Sequence, residues 1–147
     1  MILGLVSFNT WACGDSLYRV GKGVSYRVYT APLPGNVLVY GQTEGAKQLA
    51  EALAASGHTV TLADSEMDLS LEMSQSQFDV VIAAYSDHTA VESAETATAS
   101  SATYLPVALN KDEAEIAEQN YDEVMVADRD EIKNYLKAIH KTLKSKA

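Results

Sequence analysis

A chain of 147 residues with 47% hydrophobic content is long enough to fill one core, so we expect a single globular domain. The formal net charge of −9 is unevenly spread, because residues 36 to 132 carry 19 acids and three cations, whereas residues 133 to 147 carry five lysines and no acid. An acidic body repels phosphate backbones, and lysines on one terminal helix usually serve solubility, so we expect no nucleic-acid partner.

The first twelve residues form an apolar leader, for which two interpretations stay open. Small residues near its end favour the remnant of an export signal, which would place the protein in the periplasm and allow a lipid on Cys13, the only cysteine. The alternative is a cytoplasmic protein whose leader packs on the domain as a strand or short helix. The run is shorter than the roughly 20 apolar residues of a membrane-spanning helix, so we expect no transmembrane segment.

Residues 17 to 29 partly alternate apolar and polar side chains around a Gly21-Lys22-Gly23 turn, which predicts a β-hairpin. Its tyrosines and arginines are a candidate surface for a protein partner or for a second copy of the chain in a homodimer. These side chains are Tyr18, Arg19, Tyr26, Arg27 and Tyr29. The alternative is simple packing of the hairpin against the sheet. The prolines of residues 31 to 35 mark a linker, so hairpin and linker (13 to 35) precede an α/β domain (36 to 147).

After the linker, short apolar runs alternate five times with helical patterns. The predicted strands cover residues 36 to 40, 58 to 63, 78 to 85, 103 to 109 and 122 to 127. The predicted helices cover residues 44 to 56, about 67 to 77, 88 to 101, 111 to 119 and 130 to 144. Gly57 stands where a left-handed C-cap is expected. Strands alternating with helices predict a parallel, doubly wound sheet with helices on both faces.

Residues 36 to 144 resemble a bacterial response-regulator receiver domain in length and spacing. The stretch from Ala63-Asp64-Ser65 to Phe78-Asp79-Val80-Val81-Ile82 has the rhythm of the receiver's second helix leading into the strand that carries its phosphoacceptor. The resemblance covers about three quarters of the chain and is one of layout. It implies a flavodoxin-like α/β fold with strand order 2-1-3-4-5 and a role in signalling.

The side chains that receiver chemistry requires are all replaced. The family places a carboxylate at the end of strand three, two acids for Mg²⁺ after strand one, a hydroxyl after strand four and a lysine after strand five. Here the end of strand three holds Ala84, and the loop after strand one holds Gly41 and Gln42. Asn110 follows strand four, and no lysine follows strand five. Asp87 can enter this degenerate pocket, although we favour it as a helix N-cap. The resemblance therefore implies a pseudo-receiver that is not phosphorylated and binds another protein, through the hairpin or the lysine-rich last helix.

A nucleotide-binding domain of the reductase type is the alternative. The loop at residues 41 to 46, followed by Asp64 after the second strand, is similar to a dinucleotide-binding layout, in which helix-start amides hold pyrophosphate and the acid binds ribose. Gly41, Gly45 and Asp64 would then form the site. The middle glycine of the fingerprint is absent, and Glu44 would place a negative charge beside the phosphates.

Other chemistry has little support in the sequence. His58, His88 and His140 are scattered, and no pair of them has the spacing of metal ligands. A nucleophile elbow of the form Gly-x-Ser-x-Gly does not occur. We therefore expect no metal, no cofactor and no catalytic residue.

Overall fold

The computed structural model of the protein describes residues 33 to 146. The predicted leader, Cys13, the hairpin with its tyrosines and arginines, and the start of the linker lie outside the described residues. The strands are β1 (Asn36–Tyr40), β2 (Thr59–Ala63), β3 (Val80–Ala84), β4 (Thr103–Ala108) and β5 (Met125–Val126). The α-helices are α1 (Glu44–Ala55), α2 (Glu66–Gln75), α3 (His88–Thr98), α4 (Lys111–Ala117) and α5 (Ile132–Lys146). A 3₁₀ turn, Tyr85–Asp87, joins β3 to α3.

The sheet has the order β2-β1-β3-β4-β5, and every neighbouring pair of strands is parallel. Helices α1 and α5 cover one face, and α2, α3 and α4 cover the other. The predicted flavodoxin-like, three-layer fold and its strand order are confirmed.

The core lies on both faces of the sheet, because each central strand alternates its side chains between them. In β1, Val37 and Val39 pack toward α1 and α5, whereas Leu38 and Tyr40 pack toward the opposite layer. All five residues of β3 are buried, as expected of a parallel strand covered on both faces. A fully buried Val, Leu or Ile contributes about 1.5–3 kcal/mol, so these strands carry much of the fold's stability.

Local sequence signals set the ends of the first helix. The hydroxyl of Thr43 accepts the N–H of Ala46 at 3.1 Å and caps α1. Gly57, just beyond the helix, has a φ of +111°, as the C-cap prediction required. Ser65 caps α2 by accepting the N–H of Asp68 at 3.0 Å. These elements form where predicted because their signals involve residues within one helical turn.

The fifth strand is shorter than predicted, since only Met125 and Val126 pair with β4. The N–H groups of Arg129 and Asp130 both donate to the carbonyl of Val126, at 3.0 and 2.9 Å. The chain therefore turns immediately after Val126. Pro106 fits this arrangement, because β5 begins opposite Val107 and β4 is flanked at Pro106 by β3 alone among the described strands.

The amino end of the sheet is closed by hydrogen bonds that span distant parts of the chain. The N–H of Gly35 donates to Nδ1 of His58 at 3.0 Å, and the N–H of Asn36 donates to the carboxylate of Asp79 at 2.9 Å. Burial lowers the pKa of His58, whose side chain is therefore held neutral. The ammonium of Lys146 donates to the carbonyl of Asp79 at 2.9 Å, which ties the end of α5 to this edge.

Candidate functional site

A ligand of an open α/β sheet binds at the carboxyl ends of its strands, next to the point where the strand order reverses. Gly41 follows β1, and Ala84 ends the neighbouring β3. Asn110 lies two residues beyond β4, the strand that pairs with β3 on its other side. The fold thus brings the positions predicted for the degenerate receiver pocket to one edge of the sheet.

The end of β3 is occupied by a tyrosine that the sequence did not single out. The hydroxyl of Tyr104 donates to the carbonyl of Ala84 at 2.8 Å and lies 3.4 Å from that of Ala83. Ala84 itself is 7% exposed and offers only a methyl group. Ala84, the residue predicted at the degenerate acceptor position, therefore offers no nucleophile, and its backbone carbonyl is already hydrogen-bonded.

Further aromatic rings surround Tyr104. The ring of Tyr121 meets those of Tyr104 and Tyr85 edge-on, with centroids 5.2 and 6.3 Å apart. Burial and a hydrogen bond to the carboxylate of Glu92 raise the pKa of Tyr121. Tyr85 stacks on His88 at 4.7 Å, so His88 belongs to an aromatic cluster. These contacts pack α3 and the segment after α4 against the end of β3.

The polar side chains at this edge serve the backbone. Nε2 of Gln42 donates to the carbonyl of Asp64 at 2.6 Å, which joins the loops after β1 and β2. Oδ1 of Asn110 caps α4 by accepting the N–H of Glu113 at 3.0 Å, and the Glu113 carboxylate accepts the N–H of Leu109 at 2.8 Å. Gln42 and Asn110 therefore hold loops in place.

Asp87 does not make the capping hydrogen bond that we expected of it. It precedes α3, but its backbone (φ −101°, ψ 14°) continues the 3₁₀ turn and lacks the extended conformation of a capping residue. Burial and the charge of Glu66 raise the pKa of Asp87. Burial, Asp87 and Glu66 likewise raise the pKa of Tyr40. Asp87 lies three residues beyond the end of β3, and its negative charge together with that of Glu66 disfavours an anion bound beside them.

Within residues 33 to 146, no group of three or more His, Cys, Asp or Glu side chains is placed to hold a metal ion. The three histidines lie in different parts of the molecule. His58 lies at the amino end of the sheet, and His88 stacks on Tyr85. His140, on α5, lines a separate groove. No helix in the same part of the chain is long and apolar enough to cross a membrane.

A cleft of about 420 Å³ beside the β1–α1 loop corresponds to the predicted nucleotide site. Gly41 and Asp64 both line it, together with Lys47, which the sequence did not single out as a site residue. Gly45 is buried in the first turn of α1 and does not line the cleft. Gly41, Lys47 and Asp64 are residues of the types that bind phosphate or ribose. One backbone N–H at the start of α1 is already hydrogen-bonded to the Thr43 side chain, however, and is not available to a phosphate.

A second surface lies at the β5 edge of the sheet. We call it the basic groove: a groove of about 460 Å³ between α5 and the chain on either side of β5. Four cationic side chains line it, those of Arg129, Lys137, Lys141 and Lys144. Its apolar lining comes from Val124, Met125 and Ala138. The lysine-rich last helix, predicted as an interaction surface, thus forms one wall of a groove.

Comparisons of this chain with protein-family models, with curated proteins and with solved structures found no match.

Proposed function

We propose that the protein is a non-enzymatic pseudo-receiver, a signalling module that acts by binding another protein. The observation that carries this proposal is the state of the β3 end. In a receiver, a carboxylate at this place attacks a phosphoryl group, whereas here the residue is Ala84 and the hydroxyl of Tyr104 holds its carbonyl at 2.8 Å. A methyl group cannot form the phosphoaspartate.

The neighbouring side chains support the same proposal. Binding of Mg²⁺ and phosphate by a receiver needs carboxylates arranged around the metal. The loop after β1 offers Gly41 and Gln42, and Gln42 is engaged with the carbonyl of Asp64. Asp87 and Glu66 repel one another and any incoming anion. The fold thus supplies a receiver-like scaffold whose external surfaces are the parts left for recognition.

Nucleotide binding is the second candidate, and the cleft beside Gly41, Lys47 and Asp64 is the observation that favours it. Lys47 would attract phosphates, and the Asp64 carboxylate is exposed. Glu44, in the first turn of α1, opposes this role because it places a negative charge at the helix start where the phosphates would sit.

One experiment tests both candidates. Two-dimensional NMR spectra of the full chain are recorded with Mg²⁺ and beryllofluoride, then with ATP, NAD and FMN. We expect no shifts around Gly41, Ala84 and Asp87 with the phosphate mimic, and none around Lys47 and Asp64 with the nucleotides. A receiver domain with an intact acceptor aspartate, treated with the same beryllofluoride, is the positive control.

Shifts at Ala84 and Asp87 with beryllofluoride would overturn the pseudo-receiver proposal. Shifts confined to Gly41, Lys47 and Asp64 with one nucleotide would establish the second candidate. Thermal unfolding gives an independent measure, because a ligand at about a hundred times its dissociation constant adds about 2.7 kcal/mol to the free energy of unfolding.

A further inference from the structure

The basic groove concentrates positive charge on an acidic molecule. Residues 33 to 146 contain eight Lys or Arg and 19 Asp or Glu, and four of the eight cations line this one groove. The surrounding field therefore steers a small anionic partner to the groove and repels it elsewhere. A long polyanion would extend beyond the groove and meet the acidic surface.

Two of the four cations are unpaired within the described chain. Arg129 forms an ion pair with Asp130 at 2.8 Å, and Lys141 forms one with Glu123 at 3.4 Å. Lys137 and Lys144 make no ion pair with any residue between 33 and 146. They lie seven positions apart on α5, so they share one face of the helix about two turns from each other. Carboxylates about two turns apart, or on an extended segment of similar length, would match them.

The groove also has an apolar component. Val124 is half-buried, whereas Met125 and Ala138 form the floor of the groove and are only 4% and 6% exposed. Nδ1 of His140, which lines the same groove, is buried and has no hydrogen-bond partner among residues 33 to 146. A partner that carries only charge would leave the exposed part of Val124 in contact with water, whereas an apolar side chain between acids would cover it.

Strand addition at the end of β5 is blocked. The N–H of Val126 donates to the carboxylate of Asp130 at 2.8 Å, and its carbonyl accepts the N–H groups of Arg129 and Asp130. An incoming strand therefore has no free backbone group to pair with at Val126. At this point of the edge, side chains are what the groove offers a partner.

From these observations we propose that the basic groove binds an acidic segment of a partner protein, with carboxylates placed against Lys137 and Lys144 and an apolar side chain against Val124. This inference rests on the proposed function and names the partner's chemistry. It assigns the recognition to the α5 side of the molecule.

The test begins with a randomised pool of short peptides, each combining several Asp or Glu with two apolar residues, selected on the full-length protein. A matched pool has Lys in place of the acids. The best acidic binder is then labelled, and its dissociation constant is measured by fluorescence anisotropy. We expect enrichment from the acidic pool only, and an affinity that falls as NaCl is raised from about 50 to about 300 mM.

Two double variants locate the site. The double variant Lys137→Glu and Lys144→Glu should raise the dissociation constant of the acidic peptide roughly tenfold or more, because attraction at two positions becomes repulsion. Lys47→Glu with Lys111→Glu changes the net charge equally but lies outside the groove, and it should weaken binding less than about threefold. Both pairs are exposed, so unfolding curves should match that of the unmodified protein.

Equal weakening by the two double variants would overturn the proposal, as would the absence of any binder in the acidic pool. Binding of a single-stranded oligonucleotide as tight as that of the best peptide would also overturn it, in favour of a nucleic-acid surface. These failures are distinct from failure of the proposed function, which the NMR response to beryllofluoride or a nucleotide reports separately.

Discussion

The carboxyl end of the sheet and the basic groove are both polar surfaces, yet they differ in what their side chains are bound to. At the sheet end, Gln42, Tyr104 and Asn110 each hydrogen-bond the backbone. In the groove, Lys137 and Lys144 have no ion-pair partner among the described residues. The comparison teaches that a polar surface is available for recognition only when its groups are not already needed by the fold.

Asp130 is the exception within the groove, and its removal should have the largest effect on stability. The residue is 5% exposed, and its carboxylate accepts the N–H of Val126 and pairs with Arg129. Asp130→Ala leaves that buried N–H without a partner, so we expect a loss of about 2–3 kcal/mol in the free energy of unfolding. Urea denaturation measures it.

Asp130→Asn is the matched control, because its side-chain oxygen can still accept from Val126. It should lose less than half as much stability as Asp130→Ala. The negative charge of Asp130 repels an acidic partner. Neither substitution should therefore lower the affinity for the acidic peptide at a temperature where the variant is folded. Weaker peptide binding by folded Asp130→Asn would show that this carboxylate takes part in recognition as well as in stability.

Tyr104→Phe tests the sheet end. The substitution removes the hydrogen bond to the carbonyl of Ala84 and keeps the ring, so we expect a loss of about 1–2 kcal/mol. Tyr85→Phe, in the same aromatic cluster but half-exposed, should change stability by less than about 0.5 kcal/mol. Equal losses for the two variants would show that the Tyr104 hydroxyl does not hold the end of β3.

Asp87→Asn should change the free energy of unfolding least among these substitutions, and it should raise that free energy where the others lower it. Burial and Glu66 raise the pKa of Asp87 above its ordinary 3.8, so the native state binds its proton more tightly than the unfolded chain does. Its contribution to stability is therefore complete below the unfolded pKa and is lost as pH rises through the folded pKa. At pH 7 the substitution should stabilise the protein by up to about 1 kcal/mol, since the group is partly solvated.

The gain from Asp87→Asn should shrink as pH falls toward the ordinary pKa of an aspartate. Thermal unfolding at several pH values from 7 downward measures it, with exposed Asp122→Asn as the control. A gain that stayed constant with pH, or that Asp122→Asn reproduced, would mean that the repulsion between Asp87 and Glu66 does not act on stability.

Much of the scaffold could be predicted from residues that are close in the chain. The apolar run that became β1 and the positive φ at Gly57 each depend on a few neighbouring residues. The Thr43 and Ser65 caps, which we did not predict, are equally local. Predictions that needed a distant partner were less complete. Asp87 lacks the capping bond expected of it, and β5 begins three residues later than predicted, where Met125 pairs with Val107 of β4.

The sequence by itself determined the five strand–helix units and the parallel direction of the strands, because hydrophobic periodicity is a local property. Only the tertiary structure decided which polar groups are engaged. Tyr104 donates to a carbonyl 20 residues away in the chain, and Lys141 pairs with Glu123, which is 18 residues away. Such pairings arise when the strands and helices pack, so the basic groove exists only in the folded molecule.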